Sequence, residues 1–278
     1  MVGPNTPSYI IAGRAVPGQN GTILDERLDR WLAALEARHL ADLTLAEVAR
    51  ALRSLSSTYV ERRHRLGGGA ALSGGGKRAA FALFYGALHY FVVREIVRAL
   101  PGATASASLL VDLGCGTGAA GAAWALSCRS TPAVLGIDRH PWALAEAART
   151  YRVLGVTARL RRTEITSSSL PRRPALILAA FTLNELAPDT RNALLAGAID
   201  RVRARPSQQE QRGRLLVIEP IAQFVAPWWD EWRRAIVAAG GRADEWRFRM
   251  DLPPIVTKLD RAAGLNHREL TARSFWLA

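Results

Sequence analysis

One stretch constrains this chain more than any other: Leu109-Leu110-Val111-Asp112-Leu113-Gly114-Cys115-Gly116-Thr117-Gly118, an apolar strand that runs into an acid and three alternating glycines. Glycines at such a turn let the backbone close tightly on a ligand, and the helix that follows begins near Ala119. The next apolar strand, Ala133 to Ile137, ends in Asp138, 20 residues past Gly118. An acid at the end of that strand can accept hydrogen bonds from both hydroxyls of a ribose. The segment therefore reads as a nucleoside-binding βαβ unit.

The glycines alone do not choose the nucleoside, because Gly114, Gly116 and Ala119 also satisfy the dinucleotide fingerprint G-x-G-x-x-G/A. Asp112, two residues before the first glycine, gives the form D-x-G-x-G-x-G, which resembles the first motif of class I S-adenosylmethionine (SAM) methyltransferases. That resemblance implies that Asp112 organises the loop around the methionine end of the cofactor and that Asp138 holds its ribose. It also puts Gly114, Cys115, Gly116, Gly118, Arg139, Glu164 and Phe181 among the cofactor contacts. Glu164 follows the third strand, where the methyltransferase pattern has a polar or acidic residue facing the adenine amine.

The rest of the chain divides by texture. Met1 to Gly21 carries prolines and glycines and no signal-peptide pattern, which predicts a flexible arm over 1–21. Leu24, Leu28, Trp31, Leu32 and Leu35 recur at helical spacing, and Thr44 can cap a second helix bearing Leu45, Val48, Leu52 and Leu55. Two glycine triplets, 67–69 and 74–76, bracket a loop before a long apolar helix that Pro101-Gly102 ends. Residues 22–104 therefore predict an all-helical cap. From there short strands alternate with helices, which implies a parallel sheet covered on both faces over 105–278. The strands fall at 109–113, 133–138, 158–161, 175–180 and 214–219, with 245–250 and 270–277 as a closing antiparallel pair. The expectation is an α/β, Rossmann-like, seven-stranded methyltransferase sheet.

The formal charge is +13, from 37 basic and 24 acidic residues, a balance that favours an anionic partner such as nucleic acid. Lysine occurs only at Lys77 and Lys258, and this arginine bias is also what a GC-rich genome produces. Clusters such as Arg159-Arg161-Arg162, Arg172-Arg173 and Arg212-Arg214 could equally be solvated faces. No uninterrupted apolar run approaches the ~20 residues of a membrane span, and a cytoplasmic location is the default reading. With two cysteines, one of them inside the glycine loop, a disulfide framework or a four-cysteine metal site is not expected. The five histidines show no carboxylate–histidine spacing, so no metal site is expected.

Methyl transfer needs an acceptor held in line, and sometimes a base for its proton. After the fourth strand comes Phe181-Thr182-Leu183-Asn184-Glu185-Leu186, where amino-group methyltransferases carry an Asn/Asp-Pro-Pro-aromatic motif that this chain lacks. Asn184 and Glu185 are the catalytic candidates there. Cytosine-C5 chemistry is disfavoured because no cysteine lies after strand four or five. Trp228, Trp229 and Trp232 could stack a base or simply pack a helix.

Five segments, 55–59, Lys77 to Ala82, Asp112 to Gly118, Phe181 to Leu186 and Val217-Ile218-Glu219-Pro220, together resemble the methyltransferase-like family associated with the small ribosomal subunit of mitochondria and its bacterial relatives. The resemblance spans about residues 40 to 220. It implies a helical cap, a SAM fold, a role at small-subunit ribosomal RNA, and Arg78 as a ligand for the cofactor carboxylate or an RNA phosphate. The family's cysteine cluster is absent: Ala226-Pro227-Trp228-Trp229 stands at that point. Two other readings remain: a small-molecule methyltransferase, and a non-catalytic ribosome assembly factor that keeps a SAM pocket.

Overall fold

The computed structural model describes residues 9–11, 19–61, 72–204, 212–222, 226–265, 267 and 269–278. The expected loop between the glycine triplets lies largely outside them. Within the segment expected as an arm, β1 (Tyr9–Ile11) is a strand and α1 (Gln19–His39) begins. Next come α2 (Leu45–Glu61) and one continuous helix formed by α3 (Gly75–Ala80), a π-helical turn (Phe81–Gly86) and α4 (Ala87–Ala99). The α/β part then runs β2 (Leu109–Leu113), α5 (Ala119–Ser127), β3 (Ala133–Asp138), α6 (Pro141–Leu154) and β4 (Ala158–Arg162). It continues through β5 (Leu176–Ala180), α7 (Pro188–Arg203), β6 (Arg214–Glu219), α8 (Trp229–Ala238), β7 (Arg242–Phe248), α9 (Pro254–Ala263) and β8 (Leu270–Leu277).

The sheet order is β1-β7-β8-β6-β5-β2-β3-β4. The seven expected strands are there, with β8 antiparallel between β6 and β7. An eighth, β1, adds to the outer edge parallel to β7. Three residues joined by backbone bonds carry no periodicity that would mark them as a strand. Helix α9 also lies outside the expected elements. Pro253-Pro254 looks like a break, but a proline at the first helical position costs no hydrogen bond and presets the helical φ.

Alternation along the strands separates two cores. Leu110, Leu176, Leu178, Leu216 and Ile218 face one side, and Val111, Leu113, Ile177, Leu215 and Val217 the other. The helices of residues 26–99 share the first core with α5, α6 and α9, while α7 and α8 cover the second. Trp31 locks α1 to α6: it is 1% exposed, and its indole N–H donates to Thr150 Oγ1 at 3.2 Å. Thr44 and Glu47 cap α2 reciprocally, the Thr44 N–H donating to Glu47 Oε2 at 2.8 Å and the Glu47 N–H to Thr44 Oγ1 at 3.3 Å. The helix Gly75–Ala99 has the length and apolarity of a membrane span, yet 72% of its most apolar window is packed inside the protein.

Arg214 is not the solvated arginine that its cluster suggested. It is buried, and its guanidinium donates to the carbonyls of Gly102 (3.0 Å), Ala105 (2.9 Å) and Ser106 (2.9 Å), fixing the turn that feeds β2. Arg214→Ala is expected to lower unfolding free energy by about 3 kcal/mol, because three buried carbonyls lose a charged donor; urea denaturation measures it.

Candidate active site

The order of strands reverses between β2 and β5: the chain runs outward from β2 to β3 and β4, then returns to the other side of β2. Ligands of open α/β sheets lie at that switch, beyond the carboxyl ends of the strands. There the turn after β2 meets the segment after β5. Gly114, Gly116 and Gly118 have φ values of 69°, 51° and 77°. A Cβ at Gly114 would lie 2.4 Å from Thr182, and one at Gly118 would lie 3.1 Å from the Ala147 backbone. Gly116 differs, since its nearest neighbour would be the Phe81 ring at 3.8 Å. The loop is wedged at both ends and open in the middle.

Asp138 faces this opening. Its Oδ2 accepts from the Gly116 N–H at 2.9 Å and its Oδ1 from the His140 N–H at 2.8 Å, so the carboxylate is held at the loop's mouth. The left-handed glycines, the opening at Gly116 and this fixed acid suit a nucleoside cofactor, with Asp138 to hold ribose hydroxyls and the loop to pass the methionine end. SAM bound there supplies an electrophilic methyl group on a sulfonium.

Asp112 has a different place. It is 1% exposed, Tyr151 donates to its Oδ2 at 3.1 Å, and a Cβ at Gly121 would lie 2.3 Å from that same oxygen. It anchors the loop from beneath, between β2, α5 and α6. Burial pushes its pKa up to about 7, against the opposing pull of the Tyr151 hydrogen bond. Cys115 is also buried, its Sγ directed at Gly136, and burial holds the thiol well above its ordinary range. Its side chain is part of the packing, leaving its backbone to the loop's upper side.

The other candidates divide into two groups. Arg78 donates to the Leu72 carbonyl at 2.9 Å and lies 5.8 Å from the Trp142 ring, near enough to His140 to help hold its pKa down after burial. It stands on the Asp138 side of the site. Arg139 and Glu164 form a loose exposed pair at 4.0 Å beside the same strand end. Phe181 has a φ of 58°, the one positive value among described non-glycine residues, and its ring stacks on His89 at 4.0 Å.

Asn184 is held from both sides: its amide donates to Glu219, and its Oδ1 accepts from Trp228 Nε1 at 3.0 Å. The fully buried Glu219 also accepts from the Leu183 N–H at 2.9 Å. Asn184 thus fixes the loop after β5, while Glu185 is exposed. The tryptophans pack: Trp229 stacks on Phe275 at 3.7 Å, and Trp232 Nε1 donates to Asn192 at 3.1 Å. Two histidines meet carboxylates in space. His39 meets Glu146 at 3.2 Å and His267 meets Asp260 at 2.5 Å, across turns that no local pattern reveals. Tyr151, Glu219 and His89 were missed for the same reason.

Residues 110–204 match the family model described as a methyltransferase domain. Over that span, about a third of its length, the chain is similar to a methyltransferase domain. No curated protein matches the sequence. Among solved structures, a proposed O-methyltransferase from Nostoc punctiforme PCC 73102 aligns at 13% identity over 82% of this chain and 72% of its own, with a TM-score of 0.47. Magnesium protoporphyrin IX methyltransferase from Synechocystis PCC 6803, with S-adenosylhomocysteine (SAH) bound, aligns at 12% identity over 68% and 82%, with a TM-score of 0.43. The tRNA (uracil-54, C5)-methyltransferase of Pyrococcus abyssi aligns at 12% identity and a TM-score of 0.39; the match covers 68% of this chain but only 37% of that protein's length.

Two measurements check the site. Asp138→Ala is expected to weaken SAM binding about 100-fold in calorimetry, through loss of the ribose acceptor and of the Gly116 tether. The second concerns pH. Packing among aromatic rings desolvates the half-buried His89 and lowers its pKa to about 3 from 6.5, so unfolding takes up a proton between those values and stability rises with pH. Asp112, raised to about 7 from 3.8, releases a proton on unfolding in its window, so its contribution falls as pH rises. The two oppose each other where the windows overlap. Asp112→Asn removes the falling part, and urea midpoints between about pH 4.5 and 6 should then climb more steeply than in the parent, by up to about 1.4 kcal/mol per pH unit.

Proposed function

We propose that this methyltransferase acts on RNA, and that small-subunit ribosomal RNA, implied by the sequence resemblance, is its acceptor. The observation that carries this reading is β4. It is the edge strand of the sheet, next to β3 and its Asp138, and Arg159, Arg161 and Arg162 on it are all exposed. Arg159 and Arg161 have no acidic partner among the described residues, and Arg162 donates only to the Arg139 carbonyl at 3.4 Å. Arg162 lies opposite Asp138 in the strand register. Exposed guanidinium groups on an edge strand, Arg159 and Arg161 on one face and Arg162 on the other, none of them in an ion pair among the described residues, suit a polyanion whose methylated nucleotide enters the site from that edge.

A small-molecule acceptor is the second reading. The half-exposed aromatic rings beside the glycine loop favour it, since such a surface accepts a flat ring whether or not a phosphate chain follows.

The test is methyl transfer from labelled SAM to deproteinised small-subunit RNA, with filter binding across a salt series. The triple variant Arg159→Gln, Arg161→Gln, Arg162→Gln is expected to bind RNA at least tenfold more weakly. The slope of log affinity against log salt should shrink by about 2. Affinity and slope equal to the parent's would remove RNA as the acceptor.

A further inference from the structure

The long cap helix presents one partly open stripe. From Ala79 to Val93 every side chain is buried except those of Phe81, Tyr85 and His89, which stand four residues apart. The π-helical turn Phe81–Gly86 widens the coil where the first two lie, keeping 81, 85 and 89 on one face. The rings meet in sequence: Phe81 to Tyr85 at 6.1 Å, Tyr85 to His89 at 6.2 Å, and Phe81 to His89 edge-on at 6.3 Å.

Phe181 comes from the opposite wall and closes the set by stacking on His89 at 4.0 Å and 14°. Its left-handed backbone is costly for a bulky residue, about 1–2 kcal/mol. Its N–H donates to the Ile218 carbonyl at 2.7 Å, and the adjoining Thr182 hydroxyl donates to the carbonyls of Gly114 and Ala180 at 3.3 and 3.0 Å. The left-handed backbone sets the Phe181 ring against His89, while Thr182 beside it touches the glycine loop at Gly114. The same group touches that loop twice more: the Phe81 ring stands over Gly116, and Gly86 packs against Thr117.

His89 is the polar member. Neither ring nitrogen has a hydrogen-bond partner among the described residues. Desolvation among the surrounding rings lowers its pKa to about 3, so the imidazole is neutral and one nitrogen keeps a lone pair.

We infer that Phe81, Tyr85, His89 and Phe181 form the acceptor-ring site, which takes a flat heteroaromatic or phenolic ring and orients it by a hydrogen bond from a ring N–H or O–H to the free nitrogen of His89. His89 receives a hydrogen bond and leaves the proton on the acceptor. This deepens the methyltransferase reading and is independent of whether an RNA chain carries the ring.

The experiment uses the full chain saturated with SAH. Adenosine, guanosine, cytidine, uridine and catechol are titrated separately by saturation-transfer NMR, with 15N-histidine spectra recorded in parallel. At least one ring is expected to bind and to move the unprotonated nitrogen signal of His89. His89→Phe keeps the stack and removes the acceptor, and should weaken that binding about tenfold; His89→Gln, which restores an acceptor, should recover most of it. Phe181→Leu should weaken binding without changing the His89 charge state. Thermal melts of each variant separate a lost contact from a lost fold. The inference is overturned if none of the five rings binds, if His89→Phe binds as the parent does, or if the His89 signals stay fixed at saturation. Ring binding without RNA binding would remove only the RNA reading, and RNA binding without ring binding only this one.

Discussion

The backbone turn at 113–118 sets the terms for everything around it. It has Thr182 against one end and Ala147 against the other, with no room for a Cβ at either, so β5 and α6 are brought to fixed distances from β2. Beneath it lies Asp112, an acid enclosed by Tyr151 and the first turn of α5, and above it Asp138 ties the Gly116 N–H. A buried carboxyl costs several kcal/mol unless it is hydrogen-bonded or protonated. Here it is both bonded to Tyr151 and pushed toward the protonated form. The two acids of the motif thus divide the labour, one supporting the loop from the core and one working at its surface.

The chain's arginines show how little net charge says until each group is placed. Arg214 is consumed by three carbonyls of its own chain. Arg273 lies 4.3 Å from the Trp229 ring, and Arg38 reaches Glu146 across the junction of α1 and α6. Those on β4 face solvent. The same residue type therefore acts as a scaffold donor, an aromatic partner and a free cation, depending on whether the surrounding backbone offers it acceptors.

What could be read from the sequence follows from how far each signal reaches. The glycine turn, the alternation of strands and helices, the Thr44 cap and the closing antiparallel pair are local patterns, and the structure has each of them. β1 was invisible because three residues are too few to show an alternating pattern, and α9 because its starting proline resembles a terminator. In the site, Asp138 could be found from its place at the end of a strand. The pairing of His89 with Phe181, of Asp112 with Tyr151 and of Asn184 with Glu219 joins residues 92, 39 and 35 positions apart, and only the folded sheet brings them together. Asn184, placed by its motif position, serves the loop that holds Phe181 rather than standing free.

The π-helical turn also sets the rotational phase of the cap. An α-helix advances 100° per residue, and a π-turn absorbs one residue more than an α-turn over the same rise. Everything N-terminal of Phe81 is therefore rotated relative to α4 by that extra residue, and Arg78 owes its position opposite Trp142 to this offset. Losing one residue between Phe81 and Gly86 would return the helix to a uniform coil and swing Arg78 by about 100° around its axis, with α4 and its packing on α5 left where they are. Length in this segment is thus under a constraint separate from its hydrophobicity: the helix could keep every apolar side chain and still lose the alignment between its two ends.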